Sequence, residues 1–192
     1  MKRLPMLAAF APRLRAFLQG AVSSARPAQA SPQAGPPSPG QGAPLVSEED
    51  VLLDVAVASK HELLEEIGGH MQSAHGIEAR SVALALAHRE RIASTGLGEG
   101  VAIPHARVPG LQQIRSMYVR LRFPLPFEAP DGRPVTHVLV LLVPKEATQR
   151  HLEILSEAAQ ALGDRKVRQA LCDCADAAQA VRILDAGARL CI

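Results

Sequence analysis

Six consecutive apolar residues, Val138-Leu139-Val140-Leu141-Leu142-Val143, constrain this chain more than any other feature. Half of them are β-branched, Pro144 stops the run, and its length and branching predict a strand buried in the middle of a sheet. It falls far short of the about 20 apolar residues that a membrane span needs, and so does every other stretch.

The segments around it supply the rest of a layered domain. Ile114 to Phe123 alternates, with Met117, Val119 and Leu121 on one face and Tyr118, Arg120 and Arg122 on the other, which predicts a second strand. Turns fall at Pro109-Gly110 and Asp131-Gly132, and Pro124 and Pro126 bracket a short edge or bend. Helix signals separate these strands. Ser47-x-x-Asp50 and Ser59-x-x-Glu62 both read as helix starts, the second as a capping box. After Ser59, Leu63, Leu64, Ile67 and Met71 form one apolar face that Gly76 closes, and a second helix runs from Ala79 to about His88 and ends at Arg89. A third starts at Thr148, carries Leu152, Leu155, Ala159 and Leu162 on one stripe, and ends at Gly163. Two shorter helices follow, about Lys166 to Cys172 and Asp176 to Leu184, with Asp176 as cap. Strands alternating with helices make the domain α/β.

The 192 residues suit one domain preceded by a tail. Residues 27–44 hold six prolines among Ala, Gln, Ser and Gly, a composition that cannot bury enough surface to order itself. Residues 1–44 are therefore expected to be a disordered basic tail and linker, and 45–192 the domain. Within the tail, Leu4, Leu7, Ala11, Leu14 and Leu18 recur at near-helical spacing beside basic residues. Pro5, Pro12, Arg13 and Arg15 interrupt any secretory core; a membrane-surface helix and a start codon assigned too far upstream are the other two readings. Aromatic residues are 3% with no Trp, so the core must be Leu, Val, Ile and Ala.

Residues 1–47 carry +5, leaving −3 for the remainder out of a net +2, which argues against a nucleic-acid surface on the folded part. Three cysteines, Cys172, Cys174 and Cys191, make no disulfide framework and favour a reducing compartment. Cys172-x-Cys174 lacks a partner pair for zinc, and no histidine pair has the spacing and context of a metal site, so no metal is expected. His61, His70, His75, His88 and His137 are assigned to surface or packing.

The stretch Arg89 to Arg107 carries the chemistry. Gly96, Gly98 and Gly100 lie within five residues, where backbone N–H groups can approach an anion. Val101-Ala102-Ile103 and Pro104 then deliver His105 in a defined direction. Ser94 and Thr95 add hydroxyls, and Arg89 and Arg107 add cationic forks suited to phosphate. The pattern is a histidine presented to a phosphoryl group. It is neither a dinucleotide fingerprint nor a phosphate loop ending in Gly-Lys-Ser/Thr. His151, in the first turn of the third helix, sits where the dipole and free N–H groups favour an anion.

Arg89-Glu90-Arg91, Ser94-Thr95-Gly96, Gly98 and Val101-Ala102-Ile103-Pro104-His105 together resemble the phosphohistidine motif of enzyme IIA of the fructose/mannitol class of the bacterial phosphotransferase system, most closely its nitrogen-regulatory branch. Ser59-Lys60, Pro126-Phe127-Glu128-Ala129 with Asp131-Gly132, Val138 to Pro144, and His151-Leu152 with Leu155-Ser156 follow in the family's order, so the resemblance spans roughly residues 45 to 187. Ala106-Arg107 departs from the Gly-Lys that family members often carry there, a change that keeps the cation.

The resemblance implies a mixed sheet flanked by helices and a cytoplasmic phosphohistidine carrier. His105 would accept the phosphoryl group from an HPr-type protein, Arg89 would neutralise it, and His151 would donate to its oxygens. Gly96 and Arg107 would bind phosphate, as would Ser94 and Thr95 unless these two simply cap or order the loop, with no cofactor, metal or nucleotide needed. The next partner is a regulatory target protein or, alternatively, a IIB domain in sugar uptake. A phosphate-independent interaction module is the reading from another class, and a hydrolase lacks a recognisable nucleophile motif.

Overall fold

The computed structural model describes residues 44–146 and 149–189. The expectations for residues 1–43, for a helix start at Thr148 and for Cys191 lie outside the described residues. A 3-10 turn, Glu48–Asp50, leads into β1 (Val51–Val55); α1 (Lys60–His75) and α2 (Ala79–Ile92) follow. Then come β2 (Gly96–Gly98), β3 (Val101–Ala102), β4 (His105–Arg107), β5 (Arg115–Leu125) and β6 (Val135–Val143). Three helices, α3 (Arg150–Gly163), α4 (Arg165–Asp173) and α5 (Ala177–Arg189), close the described chain.

The strands form one mixed sheet in the order β1-β5-β6-β3-β2, with β4 also paired to β6. β1 lies parallel to β5, β5 antiparallel to β6, and β3 and β4 both parallel to β6. The apolar run is the central strand: Val138 through Leu142 are fully buried. Val138, Val140 and Leu142 join Met117, Val119 and Leu121 in the core layer under α1 and α2, where Leu63, Ile67, Met71, Val82 and Leu86 meet them. The opposite face of the sheet packs on α3 and α5, through α3 against β6 and α5 against β1.

β3 and β4 are one strand interrupted by a proline. Val101 pairs with His137, Ala102 with Val138, and His105 with Leu141, so the register continues through Ile103-Pro104 without a slip. Pro104 cannot donate, but its carbonyl still accepts from Leu141 N at 2.9 Å.

The local helix signals act as read. Ser59 Oγ accepts from Glu62 N at 3.1 Å, and Glu62 Oε2 accepts from Ala58 N at 2.7 Å. Gly76 ends α1 at φ 67°, a left-handed geometry that lets Ile77 N reach back to Met71 O at 3.2 Å. Asp176 Oδ1 accepts from Gln179 N at 2.7 Å at the start of α5.

Three expectations need correction. Ser47-x-x-Asp50 opens no α-helix: the Ser47 hydroxyl donates to the Asp50 carboxylate at 2.9 Å instead of accepting from a backbone N–H, and the 3-10 turn passes directly into β1. α2 continues one turn past His88, which places Arg89 inside its last turn. β5 runs through Pro124 to Leu125, because its register against β6 shifts between Arg120 and Leu125 and leaves no ladder bond for the missing N–H to break.

Candidate active site

Ala106 lies in the core layer under α1 and α2, so by strand alternation His105, one residue earlier, projects from the other face of the sheet, at its edge. Arg89 reaches it from the last turn of α2. Its Nη1 donates to Ala93 O at 2.8 Å, which fixes the guanidinium, and its Nε donates to His105 Nε2 at 3.1 Å. The other ring nitrogen lies 2.9 Å from Ile103 O. A carbonyl only accepts, so Nδ1 carries the proton, and Nε2, which accepts from Arg89, holds the lone pair. The site thus presents a neutral imidazole with its nucleophilic nitrogen aimed at a cation.

The electrostatics agree. Burial pushes the His105 pKa down to about 4, against a partial upward pull from Ile103 O, and the charges of Arg89 and His151 lower it further. His151 stands in the first turn of α3 and is close enough to weigh on His105 in this way. Arg89 is thus hydrogen-bonded to His105, and the charge of His151 reaches His105 from α3.

The intervening loop is held by its own side chains. Glu90 Oε2 accepts from both Thr95 N (3.0 Å) and Thr95 Oγ1 (2.6 Å), and Glu90 Oε1 pairs with Lys60 Nζ at 3.3 Å. Lys60 also bonds Glu128 at 2.7 Å and lies over the Phe127 ring. The Ser94 hydroxyl donates to Phe127 O and accepts from Gly96 N at 3.1 Å. A Cβ on Gly96 would come within 3.0 Å of Ala129 Cβ, so this glycine permits close packing. The hydroxyl protons of Ser94 and Thr95 and the N–H of Gly96 are thus already donated to partners within the protein. Arg107 is exposed two residues beyond His105.

The other two glycines form a tight turn between β2 and β3. Gly98, Glu99 and Gly100 all have positive φ, 100°, 55° and 78°. The Glu99 N–H, which the anion-concavity reading would point at a ligand, donates instead to Asp131 Oδ2 at 2.7 Å.

Two groupings escaped the sequence reading. Glu90 and Lys60 brace the loop, and only the position of Glu90 beside Arg89 hinted at it. His70 and His75, assigned to surface or packing, instead meet Asp50, a residue twenty and twenty-five positions away that no local spacing could reveal. His137, assigned to surface or packing, is buried, with Nδ1 2.8 Å from the Tyr118 hydroxyl.

Among the described residues no helix is long and apolar enough to cross a membrane. Residues 44–187 match the family described as phosphoenolpyruvate-dependent sugar phosphotransferase system, EIIA 2. A nitrogen regulatory protein of Pseudomonas aeruginosa is 40% identical over 121 residues, 62% of this chain and 79% of that protein. One from Bradyrhizobium diazoefficiens is 37% identical over 127 residues, 66% of this chain and 83% of that protein. The crystal structure of nitrogen regulatory protein IIA-Ntr from Neisseria meningitidis superposes with a TM-score of 0.69 at 38% identity, covering 73% of this chain and 96% of that one. The match covers the whole described sheet and the helices that carry Arg89 and His151, and the chain belongs to the EIIA 2 family of the phosphoenolpyruvate-dependent sugar phosphotransferase system.

Proposed function

We propose that this chain is a cytoplasmic phosphohistidine carrier that takes a phosphoryl group from an HPr-type protein onto Nε2 of His105 and serves a nitrogen-regulatory role. The observation that carries the reading is the pair of opposed hydrogen bonds on the His105 ring, Nδ1–H to Ile103 O and Arg89 Nε to Nε2. They favour the neutral tautomer with its proton on Nδ1 and mark Nε2 as the nitrogen that attacks phosphorus.

The lone pair of Nε2 forms a bond to phosphorus as the donor's phosphorus–nitrogen bond breaks, and the departing electron pair returns to the donor ring. Transfer of this kind asks for alignment and charge neutralisation. Arg89 supplies a cation whose Nε already occupies the bonding position, so it follows the phosphoryl oxygens once Nε2 is substituted. His151, in the first turn of α3, would donate to the phosphoryl oxygens, where the helix dipole favours an anion. Arg107 adds positive charge at the rim. Ser94, Thr95 and Gly96 serve phosphate binding by holding the loop in shape. The regulatory assignment is supported by the nitrogen regulatory proteins among the relatives; the regulated target would read the charge state of this site.

Incubation with phosphoenolpyruvate, enzyme I and an HPr-type carrier, followed by intact-mass analysis, tests this. A single acid-labile phosphoryl addition is expected, absent in His105→Ala with the fold unchanged by circular dichroism. Equal labelling of His105→Ala refutes the assignment. Onward transfer to a IIB domain at a rate matching sugar uptake would replace the regulatory role with the transport one.

A further inference from the structure

The geometry points to a second, separate site: we propose that Asp50, His70 and His75 bind one divalent transition-metal ion of the zinc type. Asp50 Oδ1 lies 3.1 Å from His70 Nε2 and 2.6 Å from His75 Nε2, and the three donor atoms fall within 4.8 Å of one another. Tetrahedral zinc holds nitrogen and oxygen ligands at about 2.0–2.2 Å, which sets neighbouring ligand atoms about 3.3 Å apart. The Asp50–His70 spacing of 3.1 Å is close to that value and the Asp50–His75 spacing of 2.6 Å is shorter, so a side-chain shift of under about 1 Å opens the pair to a metal-bearing arrangement.

Burial and charge fit a cation. The Asp50 side chain is 2% exposed and the His75 side chain 5%, while His70, at 14%, leaves a path from solvent. A buried carboxylate with two imidazole nitrogens on one oxygen is a donor set suited to zinc, copper or nickel, and poorly suited to magnesium or calcium. The carboxylate is oriented from behind by the Ser47 hydroxyl at 2.9 Å on Oδ2, the outer-shell support that metal-binding carboxylates use. His75 is the last residue of α1, where the helix dipole favours positive charge. On binding, each imidazole directs its Nε2 lone pair to the ion and carries its proton on Nδ1, any excess proton leaving to solvent. Three protein ligands leave a fourth position for water.

The spacing explains why no motif announces the site. Histidines five apart on a helix point about 140° away from each other, and they converge here because His75 closes α1 and Asp50 comes in from the turn before β1. The ion would clamp that turn to the end of α1. The 16 residues of α1 span about 24 Å, so the clamp lies at the opposite end from Lys60, which braces the His105 loop.

Zinc and cobalt(II) titrations of the chelator-treated, reduced full chain test the proposal. One equivalent of zinc is expected to bind and raise the thermal midpoint, and cobalt(II) to give tetrahedral visible bands without thiolate charge-transfer. His70→Gln and His75→Gln, which keep polar side chains able to bond Asp50, each weaken binding at least about tenfold, while His105→Ala/His151→Ala binds as wild type. The proposal is overturned by no saturable binding, by binding that survives His70→Gln/His75→Gln, by loss of the ion in His105→Ala/His151→Ala, or by a thiolate band that assigns the ion to Cys172 or Cys174.

Discussion

Arg89 Nε donates to Nε2 of His105 across 3.1 Å while Arg89 Nη1 is tied to Ala93 O, so the guanidinium is aimed before any phosphoryl group arrives. Lysine cannot reproduce this, since a single ammonium on a flexible stem cannot hold Ala93 O and face Nε2 together. Arg89→Lys is expected to slow phosphoryl acceptance about 10²-fold or more, the usual cost of one preorganised donor to a charged transition state. Arg89→Ala should also raise the His105 pKa, because the Arg89 charge now lowers it. Quench-flow labelling and a histidine proton-NMR titration read the two effects, and wild-type values in both would remove Arg89 from the site.

Adjacent glycines in α1 should respond oppositely to alanine. A Cβ on Gly68 would lie 2.4 Å from Ala79 O, a backbone atom at the start of α2, whereas a Cβ on Gly69 meets nothing within 4 Å. Gly68→Ala must push the two helices apart and is expected to cost about 1–3 kcal/mol. Gly69→Ala removes backbone freedom from an exposed helix interior and should add about 1 kcal/mol. Urea unfolding of the two variants decides it: equal signs for both would refute the close helix approach.

Arg120 ties the sheet to the C-terminal end of α4. Its Nη1 donates to Leu171 O (2.9 Å), Cys172 O (3.1 Å) and Cys174 O (2.7 Å), and its Nε and Nη2 grip Asp54 at 3.0 and 2.8 Å. Arg120→Met would strand buried carbonyl groups at about 1–3 kcal/mol each, so a large loss of stability is expected. Asp54→Asn, at an exposed carboxylate, should change little by comparison. Thermal midpoints of the two variants separate these outcomes, and a mild Arg120→Met would mean that the α4 carbonyls find other donors.

What was legible in the sequence was what local chemistry dictates. Ser59 with Glu62, Gly76 and Asp176 mark helix ends through bonds made within six residues, and the β5 alternation follows from the pleat alone. β1 was not legible: Ser47-Glu48-Glu49-Asp50 has the composition of a helix start, but Ser47 donates to the Asp50 carboxylate, whose other partners, His70 and His75, lie far off in sequence. The Arg89–His105–His151 grouping was read through family resemblance, because three side chains from α2, β4 and α3 share no spacing. The same limit hid Lys60 behind Glu90, thirty positions away.

His137 makes the acid limb of stability testable. It is buried, and burial first, then the charges of Arg168 and Arg120, push its pKa down to about 4 from 6.5. The unfolded chain therefore binds a proton that the folded chain refuses between those two values, and stability rises with pH across that window. The contribution is fully present above about pH 6.5 and is lost progressively as pH falls through about 4; it is on the order of 3 kcal/mol. His105, shifted in the same direction, adds to the same limb. His137→Gln removes the titrating group, so its unfolding free energy should fall less steeply from pH 6.5 to 4 than that of the wild type. The gap between the two proteins should accordingly narrow with acidification. Urea unfolding at half-unit pH steps measures both slopes; parallel lines would show that His137 is protonated without penalty in the folded protein.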